Sequence, residues 1–238
     1  MAQISRASDS CDEDYRRIIG DAGIPRIEDK VSKWEALQSK CAGSGLYEFR
    51  RGLLYIQANR LGDAKTSFDH GSRRKGSYAR EYQFAYAELD LAKNDKKKAQ
   101  AGFQQLTVDY PDWYLPHYSL GQMALSSGQY SEAKGHFEAS VQRQPQAETY
   151  GFLATSSHQL DLHKDTIKYM NKALAADPSM AGYRNGMIAT AVSAMKLGQL
   201  PLATNALSML LKARPEVKND EEFLKLVRIL KREMERGK

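Results

Sequence analysis

Apolar residues fall at helical spacing along most of the chain, and one arrangement of them recurs. A small residue is followed four positions later by a large apolar one and, after eight more, by a proline. The full pattern reads Ala99, Phe103 and Pro111; Ala133, Phe137 and Pro145; Thr166, Met170 and Pro178; and Ala203, Leu207 and Pro215. An earlier copy holds Ala64 and Phe68, with Gly76 at the proline position. The leading positions are 64, 99, 133, 166 and 203, so successive copies are offset by 35, 34, 33 and 37 residues. That is the length of a two-helix unit and far beyond a coiled-coil heptad.

About twelve residues before each leading position stands a second small residue: Gly52, Ala87, Gly121, Ala154 and Ala191. Paired small residues let two antiparallel helices approach closely, and the large side chain fills the space beside them. Proline, which lacks an N–H and clashes with the preceding turn, then stops the second helix. Turn formers separate the halves: Asn59 and Gly62, Asn94 and Asp95, Ser127 and Gly128, Asp161, and Gly198 with Pro201. The predicted unit is therefore helix, tight turn, helix, stop, repeated five times over residues 45–217.

Flanking segments carry simpler patterns. Ile27, Val31, Trp34, Leu37 and Cys41 share one helical face, predicting a helix over 26–41. Tyr15, Ile18 and Ile19 predict a short turn of helix before it, and residues 1–10 are expected to be loose. After Pro215 an amphipathic helix is predicted, with Phe223, Val227, Leu230 and Met234 on its apolar side. Asn219 with Glu222 reads as its capping box, and acidic residues in the first turn and basic ones in the last suit the helix dipole. A stack of repeats leaves apolar surface at its last member, so this helix is expected to cover it. The organisation predicted is an N-terminal arm and helix over 1–44, five repeats over 45–217 and a capping helix over 218–238.

These residues resemble the tetratricopeptide repeat (TPR) family, whose pattern is Trp-x2-Leu-Gly-x2-Tyr, then Ala, Phe, Ala and Pro. The third copy matches best: His117, Leu120, Gly121 and Ala124 are followed by Gly128, Tyr130, Ala133, Phe137 and Pro145. The first copy supplies Gly52, Tyr55, Ala64 and Phe68 but has Arg51 where the family prefers Leu. The fourth has Thr166 and Met170 in place of Ala and Phe, and three extra residues precede the fifth. The resemblance implies an all-α, right-handed superhelical solenoid with a concave groove lined by the first helix of each repeat.

It also implies where a protein partner, a peptide or amphipathic helix, would lie. Groove positions project onto Leu46, Phe49, Leu53 and Ile56 in the first copy and Glu81, Phe84, Glu88 and Leu91 in the second. The third gives Leu115, Tyr118, Gln122 and Leu125, the fourth Glu148, Thr155 and His158, and the fifth Asn185, Ile188, Val192 and Met195. An apolar, aromatic N-terminal part and a polar middle suit a partner anchored by a few large side chains. The opposing reading is that some of these aromatics pack within the chain. Members that bind heat-shock chaperone C-termini carry a clamp of Lys, Asn and Arg in the groove; here those positions hold Phe49, Leu53, Ala85, Leu115 and Ser119, which disfavours that role.

Composition changes the picture little. The 238 residues include 35 basic and 29 acidic ones, interleaved to a net charge of +6, which reads as a solvated mixed surface. No run of apolar residues reaches the eighteen or more that a membrane span requires. The first ten residues show no apolar run after a charged start, so no secretory signal is expected in the chain as given. The two cysteines, Cys11 and Cys41, either form one disulfide or are unrelated thiols. A bond would favour a periplasmic or envelope-associated setting over the cytoplasm.

Enzymatic motifs are missing: no phosphate loop, paired zinc ligands, nucleophile elbow or nicotinamide fingerprint occurs, so no catalytic residue, metal or cofactor is expected. His70, His117, His136, His158 and His163 are scattered over different repeats and read as surface or packing residues. The function expected is a non-enzymatic protein-binding scaffold, in envelope, pilus or secretion-complex assembly. The alternative is a cytoplasmic regulatory or nucleic-acid-associated adaptor using the basic C-terminal helix, with Lys225, Arg228, Lys231, Arg232 and Arg236.

Overall fold

The computed structural model describes residues 2–21, 23–42, 44–73 and 78–236, with 2–9 as backbone only; Gly76 lies outside them. The chain divides into two compact units, Met1–Pro111 and Asp112–Lys238. All regular structure among the described residues is helical.

The first unit begins with α1 (Ala2–Gly20), α2 (Ile27–Glu35) and α3 (Gln38–Cys41). Two antiparallel pairs follow, α4 (Tyr47–Gln57) with α5 (Leu61–Ser72) and α6 (Ala79–Ala92) with α7 (Lys96–Asp109). In the second unit the pairs are α8 (Tyr114–Ser126) with α9 (Tyr130–Arg143), α10 (Ala147–Gln159) with α11 (His163–Ala176), and α12 (Arg184–Lys196) with α13 (Leu200–Ala213). One more helix, α14 (Glu221–Arg236), packs on α13. Short 3-10 helices, Pro178–Gly182 and Pro215–Asn219, precede α12 and α14.

All five pairs turn in the same way. Each first helix ends in one left-handed residue: Asn59, Asn94, Gly128, Asp161 or Gly198, with φ between 56° and 74°. The amide of the next residue reaches back over the last turn: Arg60 to the Tyr55 carbonyl, Asp95 to Asp90, Gln129 to Ala124, Leu162 to Ser157 and Gln199 to Ala194, at 2.7–2.9 Å. This is a Schellman closure, which satisfies carbonyls that a helix end leaves unpaired and needs a residue tolerant of positive φ. Glycine tolerates it without penalty, and Asn and Asp tolerate it through local hydrogen bonding. At the other end, α7, α9, α11 and α13 each stop two residues before Pro111, Pro145, Pro178 or Pro215.

The recurring small and large residues form the contact between the two helices of each pair. Ala64, Phe68, Ala99, Phe103, Ala133, Phe137, Thr166, Met170 and Ala203 are fully buried. At Gly52 an added Cβ would stand 2.1 Å from a ring carbon of Phe68, closer than carbon atoms pack. Gly52→Val is therefore expected to destabilise the first unit by about 1–3 kcal/mol through overpacking. Urea unfolding with unchanged slope and a lower midpoint would register it.

The N-terminal arm differs from expectation in two respects. Residues 2–10 continue α1 rather than hanging loose, because Cys11, Tyr15, Ile18 and Ile19 form an apolar stripe that docks the helix on the N-terminal core. The helix expected over 26–41 is broken after Glu35, where Ala36 and Leu37 turn back onto the Ser32 and Trp34 carbonyls. That bend brings Cys41 to Cys11, and the two are joined by a disulfide with Cα atoms 5.8 Å apart. Trp34, wholly buried, stacks on Tyr47 at 5.2 Å and meets the edge of Tyr15 at 5.2 Å.

The cap of α14 also differs. Pro215 starts a 3-10 turn that takes in Asn219, so Asp220 and not Asn219 opens the helix. The Asp220 carboxylate accepts the Phe223 N–H at 3.2 Å and pairs with Arg184 at 2.6 Å, which holds its pKa below the usual range. Phe223 and Leu230 are buried in the second unit's core, while Val227 and Met234 stay 38% and 44% exposed.

Candidate functional site

The second unit sets its three first helices, α8, α10 and α12, on one side. Along that side runs a column of aromatic rings. Tyr118 of α8 lies 6.0 Å from Phe152 of α10, and Phe152 lies 6.0 Å, edge-on, from Tyr183 at the start of α12. Phe137 backs the column, stacked on Phe152 at 5.2 Å. Centroid separations of this size place the rings in the favourable offset and edge-to-face range.

Polar groups fix the phenol ends. The Gln122 side-chain amide donates to the Tyr118 hydroxyl at 3.0 Å. The hydroxyls of Thr155 and Tyr183 are 3.0 Å apart, and Thr155 also donates to the Gly151 carbonyl at 3.1 Å. His158 Nδ1 lies 3.3 Å from the Ser193 hydroxyl, tying α10 to α12. Burial raises the Tyr183 pKa and lowers that of His158, so both are neutral at pH 7 and present a hydrogen-bonding, uncharged strip.

Tyr118, Gln122, Thr155 and His158 are thus brought together, half-buried, on one face; Leu115, also half-buried, lies one turn before Tyr118 on α8. Phe152 and Tyr183 belong to the same face, although the repeat pattern does not point to them. Tyr183 sits in the three-residue insertion ahead of the fifth copy, and the longer offset of 37 was its signal. Gly151 explains how the insertion fits. A Cβ there would fall 2.6 Å from the Met180 terminal methyl and 3.1 Å from the Tyr183 ring. The missing side chain in α10 makes the place that Met180 and Tyr183 fill.

The first unit answers differently. Phe49, Leu53 and Ile56 are half-buried and pack against the N-terminal core with Trp34 and Tyr47. Phe49 also meets the edge of Tyr82 at 6.1 Å. Phe84 packs inward. It is 5% exposed and packs on Phe103 at 5.4 Å, between α6 and α7. Ile188 is likewise core. Glu88 is half-buried on α6.

Among the described residues no group of three or more His, Cys, Asp or Glu could hold a metal ion, and no helix is long and apolar enough to cross a membrane. His117 and His136 meet between α8 and α9, with ring centroids 5.9 Å apart. His117 Nδ1 is buried without a partner, and burial, aided by Arg143 and His136, pushes the pKa down to about 4. The folded pKa thus lies below the unfolded one, so the unfolded chain takes up the proton first. Stability from this group is complete above pH 6.5 and is lost as pH falls from 6.5 toward 4. The urea midpoint of the second unit should fall across that window, and His117→Gln should flatten the fall.

No family model matches the chain, and no curated protein does. Solved structures do resemble it. A chain of the APC/C hetero-tetramer Cut9–Hcn1 matches 87% of this chain with TM-score 0.65 and 15% identity. Yeast Tom70 matches 88% with TM-score 0.65 and 10% identity. This chain spans 40% of the former and 44% of the latter. YrrB, a TPR protein with an unusual peptide-binding site, matches 82% with TM-score 0.57 and 13% identity, over 97% of its own length. The chain has a TPR-like, all-α helical-repeat fold.

Proposed function

We propose that this protein is a non-enzymatic scaffold that binds a peptide or helix of a partner protein on the α8–α10–α12 face. The observation that carries this reading is the column Tyr118–Phe152–Tyr183, whose phenol ends are held by Gln122 and Thr155. Rings locked by neighbours lose little entropy on binding, and aromatic side chains dominate binding hot spots. YrrB, of similar fold, is a TPR protein with an unusual peptide-binding site, which supports peptide binding as the kind of function.

In this reading residues 1–44 form a disulfide-tethered arm, 45–217 the repeats and 218–238 a cap. The disulfide between Cys11 and Cys41 favours an oxidising, envelope-side setting, where such a scaffold would serve assembly of a larger complex.

The test is capture of partners from source-cell lysate by wild type and by Tyr118→Ala, with circular dichroism confirming that both are folded. An anchor of about 2 kcal/mol corresponds to roughly thirtyfold weaker binding, so a partner lost from the variant is expected. A partner retained equally by both proteins would contradict the assignment.

A further inference from the structure

We propose that the outer face of α14 is a second docking surface, which takes an acidic amphipathic segment of a protein. Glu221, Lys225, Arg228, Ile229 and Arg232 line an open concavity of about 530 Å³. Their spacing puts them on one stripe over three turns, with Phe223 and Leu230 buried on the opposite side. Lys225 and Arg232 are seven residues apart, or about 10 Å along the axis.

Glu222 is taken by Arg184 and Glu233 by Arg236. Among the described residues no ion pair includes Lys225, Arg228 or Arg232; Arg228 instead donates to the Leu224 carbonyl at 3.2 Å. Three exposed cations therefore stand in a row, in no ion pair of their own, between Glu221 and Glu235 at the two ends of the stripe.

The apolar content of the patch decides the chemistry of its partner. Ile229 sits within the stripe, and Leu224, 41% exposed, borders it on the other side next to Arg228. A phosphate backbone has nothing to cover these side chains. A helix carrying carboxylates on successive turns, about 5–6 Å apart, with leucine-like residues flanking them, matches both the cations and the apolar side chains at their edges. Glu221, at the start of the stripe, repels an acidic group and favours a basic one there, which gives the partner a direction.

The experiment measures fluorescence anisotropy of a labelled synthetic helix bearing Glu on every turn with Leu alongside. Wild type is expected to bind it, and Lys225→Glu with Arg228→Glu and Arg232→Glu is expected to weaken binding roughly tenfold or more. The milder Lys225→Gln, Arg228→Gln, Arg232→Gln variant should fall between them, and it decides the matter if the reversed variant does not fold. Ile229→Ala should weaken the peptide as well, whereas Tyr118→Ala should leave it unchanged, which separates this surface from the α8–α10–α12 face. The proposal is overturned if wild type does not bind the peptide or if charge reversal has no effect. Tighter binding of single-stranded DNA or of phosphatidylserine vesicles through the same three residues would also overturn it.

Discussion

Phe137→Ala is expected to destabilise the second unit by about 3–5 kcal/mol, the range for truncating a fully buried aromatic ring. The ring is wholly buried and lies between α8 and α10, stacked on Phe152 at 5.2 Å and 6.2 Å from Tyr118. On the α8 side, Gly121 has no Cβ because one would meet the Phe137 ring at 2.7 Å. A glycine opposite a ring leaves nothing that can move in, so the cavity stays open and the cost stays near the upper end. Against a typical total of about 5–15 kcal/mol the loss is large. Urea unfolding should show it as a lower midpoint, and partner binding should weaken too because Phe137 supports both Tyr118 and Phe152. A loss under about 1 kcal/mol would mean that the ring is not the core residue described.

The second large effect is expected at the N-terminal disulfide. Cys11 and Cys41 are 30 residues apart in sequence, and opening a loop of that length costs roughly 3–4 kcal/mol on chain-entropy grounds. Both cysteines are buried, and the bond holds α1 where Tyr15 meets Trp34. Cys11→Ala with Cys41→Ala should therefore lower the first unit's unfolding midpoint and free α1, seen as faster amide exchange from α1 onward. The second unit should be unaffected. Two reactive thiols in non-reduced, denatured protein would contradict the bond itself.

The sequence carried the repeat unit because its determinants are local and recur. A left-handed residue such as Asn94 or Gly128 marks a turn, a proline marks a stop, and the Ala–Phe spacing marks the contact between paired helices. Five imperfect copies reinforce one another, so Thr166 and Met170 can replace Ala and Phe without hiding the period. The face was less legible. Phe84 and Tyr118 occupy equivalent positions in their repeats, yet Phe84 is buried on Phe103 while Tyr118 stays half-buried. The difference depends on which neighbours approach, and a repeat register does not encode that. Tyr183 escaped because an insertion shifts it out of register, and its place is made by a side chain that is absent, at Gly151. The cap of α14 moved by one residue to Asp220 because Pro215 imposed a 3-10 turn whose length the pattern does not specify.

The most direct test of the central claim is site-specific photo-cross-linking in source cells, with the reactive group at Gln122 on the aromatic face or at Leu211, which is exposed on α13. The account predicts that a protein adduct forms from position 122, disappears when Tyr118→Ala is added, and is not formed from position 211. An adduct from position 211 with none from position 122 would contradict it.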